Sequence, residues 1–287
     1  LPPVRRVACF ITDACNFKCA YCNKNIGTTM TQEFFKSLVW RYASTAIIHI
    51  TGGEPSVVPW LYDVIRNYYD ICRFHLNTNA FIMPPAEYVR RLKVSLDSHK
   101  PEYWNKLVGV RGAWQRVVKN IKACLDKTTV SITYTLTKEN YKQALGFVNW
   151  YNKELPNAYA VFFSVYKGNN PRFIMNNDDC DEFFNIIYPR LLKVLDDESK
   201  ALIQETIDEK YRIMQGIRFP QNLKERMCFL SMSEVVYSPT GEQYRCSHLY
   251  RDGIHTISTF MQERCKYGCN QRLAMFNERV QDELDKL

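Results

Sequence analysis

Short apolar or β-branched runs alternate with amphipathic segments from the start of the chain to about residue 195, and this alternation limits the fold more than any other feature. Runs of about five to seven such residues fit buried strands, and repeated strand–helix units build a parallel sheet. Six strand candidates stand at 7–12, 46–51, 74–78, 92–97, 130–136 and 160–166. Between them, Phe34, Phe35, Leu38, Val39 and Tyr42 fall on one helical face, and Trp114, Val117, Val118, Ile121 and Leu125 on another. Such stripes mark core packing. Six parallel βα units are too few to close an eight-stranded barrel. The expected fold class is therefore α/β, a partial (β/α)6 TIM-like barrel with ligands at the C-terminal ends of its strands. A doubly wound sheet is the alternative.

The texture changes after the turn-rich Gly168-Asn169-Asn170-Pro171. Helical stretches follow near 178–195 and 200–215, and from Met227 the chain is rich in cysteine. Segments 234–237 and 243–246 flank Ser238-Pro239-Thr240-Gly241 as a hairpin. The expected organisation is a barrel core over 1–170, a helical linker over 171–217 and a small Cys-rich β-hairpin/helix domain over 218–287.

The 287 residues include 11 cysteines, an odd number gathered in clusters, which points to thiolate ligands in a reducing compartment rather than to disulfides. No apolar run of about 18 residues and no signal-peptide pattern occurs, so a soluble cytoplasmic protein without a membrane partner is expected. A formal charge of 38 − 30 = +8 favours anionic ligands. The basic residues are dispersed and no reader motif accompanies them, so nucleic acid is not an expected partner.

Directly after the first strand stands Cys15-Asn16-Phe17-Lys18-Cys19-Ala20-Tyr21-Cys22, with spacing C-x3-C-x2-C. Thiolates select soft metals and iron–sulfur clusters, and three of them would hold a four-iron cubane with one iron open. On spacing alone, a zinc loop or buried thiols are the alternatives. The second strand candidate runs into Thr51-Gly52-Gly53-Glu54-Pro55, the third ends in Asn77-Thr78-Asn79-Ala80 and the fourth in Ser95-Leu96-Asp97-Ser98; Val110-Arg111-Gly112 precedes a helix.

In this order, these segments resemble the radical S-adenosylmethionine (SAM) superfamily over roughly residues 5–170. The resemblance implies that Cys15, Cys19 and Cys22 hold a [4Fe-4S] cluster whose open iron chelates the amino and carboxylate groups of S-adenosylmethionine. It makes Tyr21 the aromatic residue before the last cysteine of the motif. It brings Gly52, Gly53 and Glu54 to the methionyl ammonium, Asn79, Ser95 and Asp97 to the cosubstrate, and Arg111 to the methionyl carboxylate. Carboxylate–ammonium and guanidinium–carboxylate pairings suit those roles. Taken singly, Gly-Gly-Glu-Pro is also an ordinary turn, Asp97 and Ser98 are also helix caps, and Arg111 is also a solvated surface residue. Ala80 replaces a common glycine, which leaves open whether that position needs a positive φ.

Cys228, Cys246, Cys265 and Cys269 form a second set, the first pair arranged as Cys228-x12-Gly241-x4-Cys246 around the hairpin. Four thiols also make a structural zinc site. The arrangement resembles the SPASM/twitch extension of radical enzymes, which implies an auxiliary [4Fe-4S] cluster with no open iron, suited to carrying electrons or organising the pocket. Cys9, Cys72 and Cys124 sit in apolar contexts as inert packing residues, and Cys180 lies among acidic neighbours at a helix start.

The resemblance implies one-electron cleavage of S-adenosylmethionine and hydrogen abstraction by a 5′-deoxyadenosyl radical. The favoured substrate is a ribosomally made peptide, oxidised, cross-linked or epimerised; the alternative is a small polar metabolite acted on by a dehydrogenase, epimerase or dehydratase. A non-catalytic zinc-binding interaction module is the reading from another class. Implied partners are the substrate and an external one-electron reductant such as flavodoxin or ferredoxin; since only about a dozen residues precede Cys15, a peptide leader is expected to bind a separate leader-binding protein or the barrel itself. His49, His75, Lys93, Thr133, Thr135, Ser164 and Tyr166 are polar strand positions available for acid/base work or substrate contact, and His248 falls beside the second set.

Overall fold

The structure is a computed structural model and describes residues 4–22, 27–166, 168–203, 207, 228–230, 233–244, 246–247, 250 and 271–286. Strands β1 (Arg6–Phe10), β2 (Ile47–Thr51), β3 (Arg73–Thr78), β4 (Arg91–Ser95), β5 (Thr129–Leu136) and β6 (Ala160–Val165) overlap the six expected runs. They lie in the order β6-β5-β4-β3-β2-β1, each parallel to the next in sequence. The order never reverses, which is the arrangement of an open partial barrel rather than a doubly wound sheet.

Helices α1 (Gln32–Tyr42), α2 (Leu61–Tyr68), α3 (Pro101–Val108), α4 (Ala113–Cys124) and α5 (Ala144–Glu154) fill the crossovers. Local signals set their ends. Thr31 caps α1 by accepting from the Phe34 amide, Pro101 opens α3, and Gly109 closes it in the left-handed region at φ +71°. Beyond β6, α6 (Asn177–Glu182) opens with an Asn176–Asp179 capping box and runs through a π-helical stretch at Phe183–Ile187 into α7 (Tyr188–Val194), followed by α8 (Asp197–Ile203).

The strands are not buried on both faces as their apolar runs suggested. Exposure alternates along β2, β3 and β4: Ile48, Ile50, Phe74, Leu76, Leu92 and Val94 are fully covered on the helix side, while His49, His75, Asn77 and Lys93 remain half-buried on the other. That second face is the inner wall of the partial barrel.

The C-terminal hairpin appears where expected, as β7 (Glu234–Tyr237) and β8 (Gln243–Tyr244). β7 does not stand apart: it pairs parallel with the other edge of β1, in the register Ala8↔Val236, and β8 pairs antiparallel with β7. Val236 packs with Ala8, Phe10 and Tyr244, the Tyr42 and Tyr237 hydroxyls meet at 2.9 Å, and Arg6 pairs with Glu234 at 3.2 Å. Helix α9 (Gln271–Leu284) reaches the Cys228 segment through Asn277 Oδ1, which accepts from the Phe229 amide. Cys265, Cys269, His248, most of the expected linker beyond 203 and the far part of the helix expected at 200–215 lie outside the described residues. No described helix is long and apolar enough to cross a membrane.

Candidate functional site

The cysteine loop leaves the C-terminal end of β1 and is closed at its neck. Thr12 and Thr29 bond through their hydroxyls at 2.7 Å, Met30 N donates to Ile11 O, and Asp13 N donates to Thr28 O. The rest of the loop hangs on α3, where Lys18 N donates to Val108 O and Ala20 N to Leu107 O. Arg111 is exposed just beyond that helix end.

The Gly52-Gly53-Glu54 turn supports the loop from β2. Gly53 N donates to Thr12 O and Glu54 N to Ala14 O. The approach is so close that a Cβ on Gly52 (φ +150°) would lie 2.4 Å from Thr12 O, and one on Gly53 2.2 Å from Ala14 O. Backbone contact excludes a side chain at both positions.

The Glu54 carboxylate turns inward. It is buried and accepts from Ser56 N (2.9 Å) and the Thr78 hydroxyl (2.7 Å) on one oxygen and from Asn79 N (2.5 Å) on the other. Burial raises its pKa, and these three donors oppose the rise. Glu54 thereby ties the end of β3 to the glycine turn. Asn79 extends the tie, its Nδ2 donating to Asn16 Oδ1 at 2.7 Å. Ala80 adopts φ +54°, so the left-handed conformation is kept without glycine, held by Asn120 Nδ2 donating to Ala80 O.

Ser95 and Asp97 separate in the structure. Ser95 ends β4 and is exposed, whereas Asp97 lies past the strand and is buried. Its carboxylate accepts from the Tyr21 hydroxyl and from Thr135 N, both at 2.6 Å. Burial raises the Asp97 pKa against those bonds. Tyr21 thus reaches from the cysteine loop across to β4 and β5, and its ring meets Tyr166 and Phe173 edge-on at about 6 Å. Phe173 is fully buried, and its carbonyl accepts from Lys138 N at 3.0 Å. Sequence reasoning missed Phe173 and Asn16: neither matches a motif, and their roles come from elements converging in space.

Cys15 and Cys22 are exposed and Cys19 is half-buried. Burial pushes the Cys19 thiol up, and Asp97, Cys22 and Cys15 push it the same way, so the three sulfurs share one electrostatic neighbourhood. Phe17 N donates to Cys15 Sγ at 3.4 Å. Among the described residues, no three His, Cys, Asp or Glu side chains close around a single ion. Three thiols on one loop, backed by an amide donor to sulfur and open to the barrel mouth, fit a four-iron cube instead, which spreads its ligands over separate corners.

Deeper on the inner wall, His49 and His75 stand 5.4 Å apart, and His49 Nε2 lies 3.3 Å from Asn77 Oδ1. Burial first, then Arg91, Arg6 and Arg73, lowers His75 to about 4; burial, Arg6 and His75 hold His49 well below its usual value. Lys93 and Arg91 both stack on Phe162, at 4.0 and 5.0 Å. Two neutral imidazoles therefore sit among cations. In the C-terminal set, Cys228 is buried and Cys246 half-buried; Tyr250, whose amide donates to Cys246 O, packs on Phe10 and reaches Asp13 beneath the first cysteine loop. Cys9, Cys72 and Cys124 are buried with raised thiol pKa values, and burial, Asp179 and Asp181 raise Cys180 to about 11.

Residues 9–151 match the family model of the radical SAM superfamily. Among characterised proteins, the chain is 28% identical to an AdoMet-dependent heme synthase of Methanosarcina barkeri, over 74% of this chain and 64% of that protein, and 23% identical to a GTP 3',8-cyclase of Clostridium perfringens, over 96% and 86%. Among solved structures, Streptococcus suis SuiB bound to its precursor peptide SuiA matches with a TM-score of 0.65 at 13% identity, over 96% of this chain and 65% of SuiB. Native anSMEcpe with bound AdoMet matches with a TM-score of 0.59 at 17% identity, over 98% and 82%. The chain thus spans just under two thirds of the heme synthase and of SuiB, and the two structural matches establish shared architecture.

Proposed function

Because the chain carries a radical SAM superfamily domain, we propose that it cleaves S-adenosylmethionine reductively at a [4Fe-4S] cluster on Cys15, Cys19 and Cys22 and abstracts hydrogen from a peptide, oxidising, cross-linking or epimerising it. The observation that carries this reading is the three-cysteine loop held against the Gly52-Gly53-Glu54 turn by two backbone hydrogen bonds. When bound, the cluster and cosubstrate supply an electron and a carbon radical able to break a C–H bond.

The chain's own residues do the positioning. Gly52 and Gly53 let the turn close directly on the cysteine-loop backbone, which sets the turn where its own backbone can meet the methionyl group. Glu54 and Asp97 act from behind as clasps, their oxygens engaged by Thr78, Asn79 and Ser56 in one case and by Tyr21 and Thr135 in the other. Arg111 and Ser95, both exposed at the mouth, are the side chains placed to touch the cosubstrate directly. Tyr21, Tyr166 and Phe173 close one side of the barrel top and exclude water from the reacting centre. Cys228 and Cys246, with Cys265 and Cys269, would hold an auxiliary [4Fe-4S] cluster able to take up the electron that a substrate radical gives up as it becomes the oxidised product.

The peptide reading draws support from architecture shared with SuiB and anSMEcpe, each of which has been solved with a peptide. A second reading, a small anionic metabolite, is favoured by the His49, His75, Arg91 and Lys93 wall and by likeness to GTP 3',8-cyclases. Anaerobic incubation with S-adenosylmethionine and a flavodoxin or chemical reductant tests the shared chemistry: 5′-deoxyadenosine should form, and its absence from a fully iron-loaded protein would overturn the proposal. Binding to candidate precursor peptides, measured against nucleotides and small carboxylates, separates the two substrates.

A further inference from the structure

Asn16 carries a buried donor with no partner. Its Nδ2 is enclosed and makes no hydrogen bond, and its amide orientation is fixed by a chain of bonds that starts at an unambiguous donor. The Phe81 backbone amide donates to Asn79, so the atom it meets is Asn79 Oδ1. The other end of that side chain, Nδ2, then donates to Asn16, so the atom it meets is Asn16 Oδ1. Flipping Asn16 would set two NH2 groups against each other. Nδ2 is therefore the orphan.

A buried amide donor without an acceptor is costly, and each one calls for an explanation; beside a ligand cysteine, a bound redox group is one that fits. Asn16 follows Cys15 directly, its side-chain carbonyl Oδ1 lies 4.0 Å from Cys15 Sγ with Nδ2 on the other branch of the same amide, and the next backbone amide, Phe17 N, already donates to that sulfur. We infer that Asn16 Nδ2 donates a hydrogen bond to a sulfur of the cluster bound at Cys15, Cys19 and Cys22, and thereby sets its reduction potential. Hydrogen bonds to cluster sulfurs stabilise the more negative, reduced state and raise the potential. Asn16 is a positioning residue: Oδ1 anchors it to the end of β3 through Asn79, and Nδ2 meets the cluster. The inference rests on the proposed cluster and adds the residue that tunes it.

Asn16→Asp keeps the shape and the acceptor for Asn79 but exchanges the donor for a carboxylate whose charge by itself lowers the potential, so the labelled-nitrogen coupling is the deciding readout. The test uses the full chain reconstituted anaerobically without S-adenosylmethionine, with side-chain-labelled [15N]asparagine, and reads pulsed electron paramagnetic resonance of the reduced cluster together with its midpoint potential. A labelled-nitrogen coupling in the parent chain that disappears in N16D, with a more negative potential and unchanged iron content, is expected. If N16D fails to load, the parent spectrum alone decides, since no coupling there overturns the inference. A coupling unaltered in N16D also overturns it. So does an unchanged potential; weakened binding of S-adenosylmethionine by N16D in a separate titration would then put the donor on the methionyl carboxylate. A chain that takes up no iron defeats the cluster reading itself, which separates the two failures.

Discussion

At the scale of single residues, the site is built by backbone that tolerates no side chains and by acids that face inward. Gly53 and Gly112 make a controlled pair. A methyl on Gly53 would meet Ala14 O at 2.2 Å, whereas Gly112, at φ +72°, has nothing within 4 Å of its missing Cβ. Gly53→Ala should abolish iron loading while leaving far-ultraviolet circular dichroism near that of the parent; Gly112→Ala should load fully and lose only about 1 kcal/mol in denaturant titration, the cost of a left-handed alanine. His75 gives a pH prediction. Its folded pKa of about 4 lies below the ordinary value of 6.5, so the unfolded chain takes up a proton first as pH falls. The stability linked to neutral His75 is complete above pH 6.5 and is lost as pH drops toward 4. Buried Glu54 and Asp97, with raised pKa values, act in the opposite sense. The informative quantity is therefore the difference between the parent and His75→Gln, whose unfolding free energy should fall less steeply across that window; parallel curves would refute the assignment.

Elements show which features local pattern could reveal. The six strands and α1 to α5 follow from periodicity and end signals such as Thr31, Pro101 and Gly109, all encoded within a few residues of where they act. The cysteine loop was legible for the same reason. The polar inner wall was half-hidden: His49, His75 and Lys93 interrupt apolar runs, and only strand pairing shows that they share a face. The clasps of Glu54 and Asp97 were not legible, because their partners Thr78, Asn79, Tyr21 and Thr135 arrive from other elements. Helix α4 illustrates such a partnership. Asn120, buried in it, donates to Ala80 O and, at 3.3 Å, to Phe81 O, steadying the turn that presents Asn79. Asn120→Ala should lower the unfolding free energy by about 1–3 kcal/mol, the usual cost of leaving a buried carbonyl unpaired. The hairpin is an element of the barrel sheet. Val236→Asp, placing a charge against Ala8, Phe10 and Tyr244, should cost about 3 kcal/mol or more and lower the melting of the whole barrel in one transition; a separate early transition would mark the hairpin as an independent unit.

Over the whole molecule, β1 links the two Cys-bearing regions: it carries the first cysteine set on its following loop and receives β7 of the C-terminal hairpin, which lies between Cys228 and Cys246, on its outer edge. Anaerobic reconstitution should give about eight irons per chain from two four-iron clusters. Replacing Cys15, Cys19 and Cys22 with alanine should leave about four, and so should replacing Cys228 and Cys246; zinc without iron in either set would support the interaction-module reading instead. The sequence pointed to both sets but not to the link through β1, because the β1–β7 pairing joins segments that no local pattern relates. That pairing has a consequence for assembly. During synthesis, β1 and its cysteines emerge before β2 to β6, and those five strands follow before β7 can cover the remaining edge of β1. Until then the strand that bears the redox loop presents an unpaired row of amides and carbonyls, so the nascent chain is most exposed to mispairing at the place where iron must later be installed.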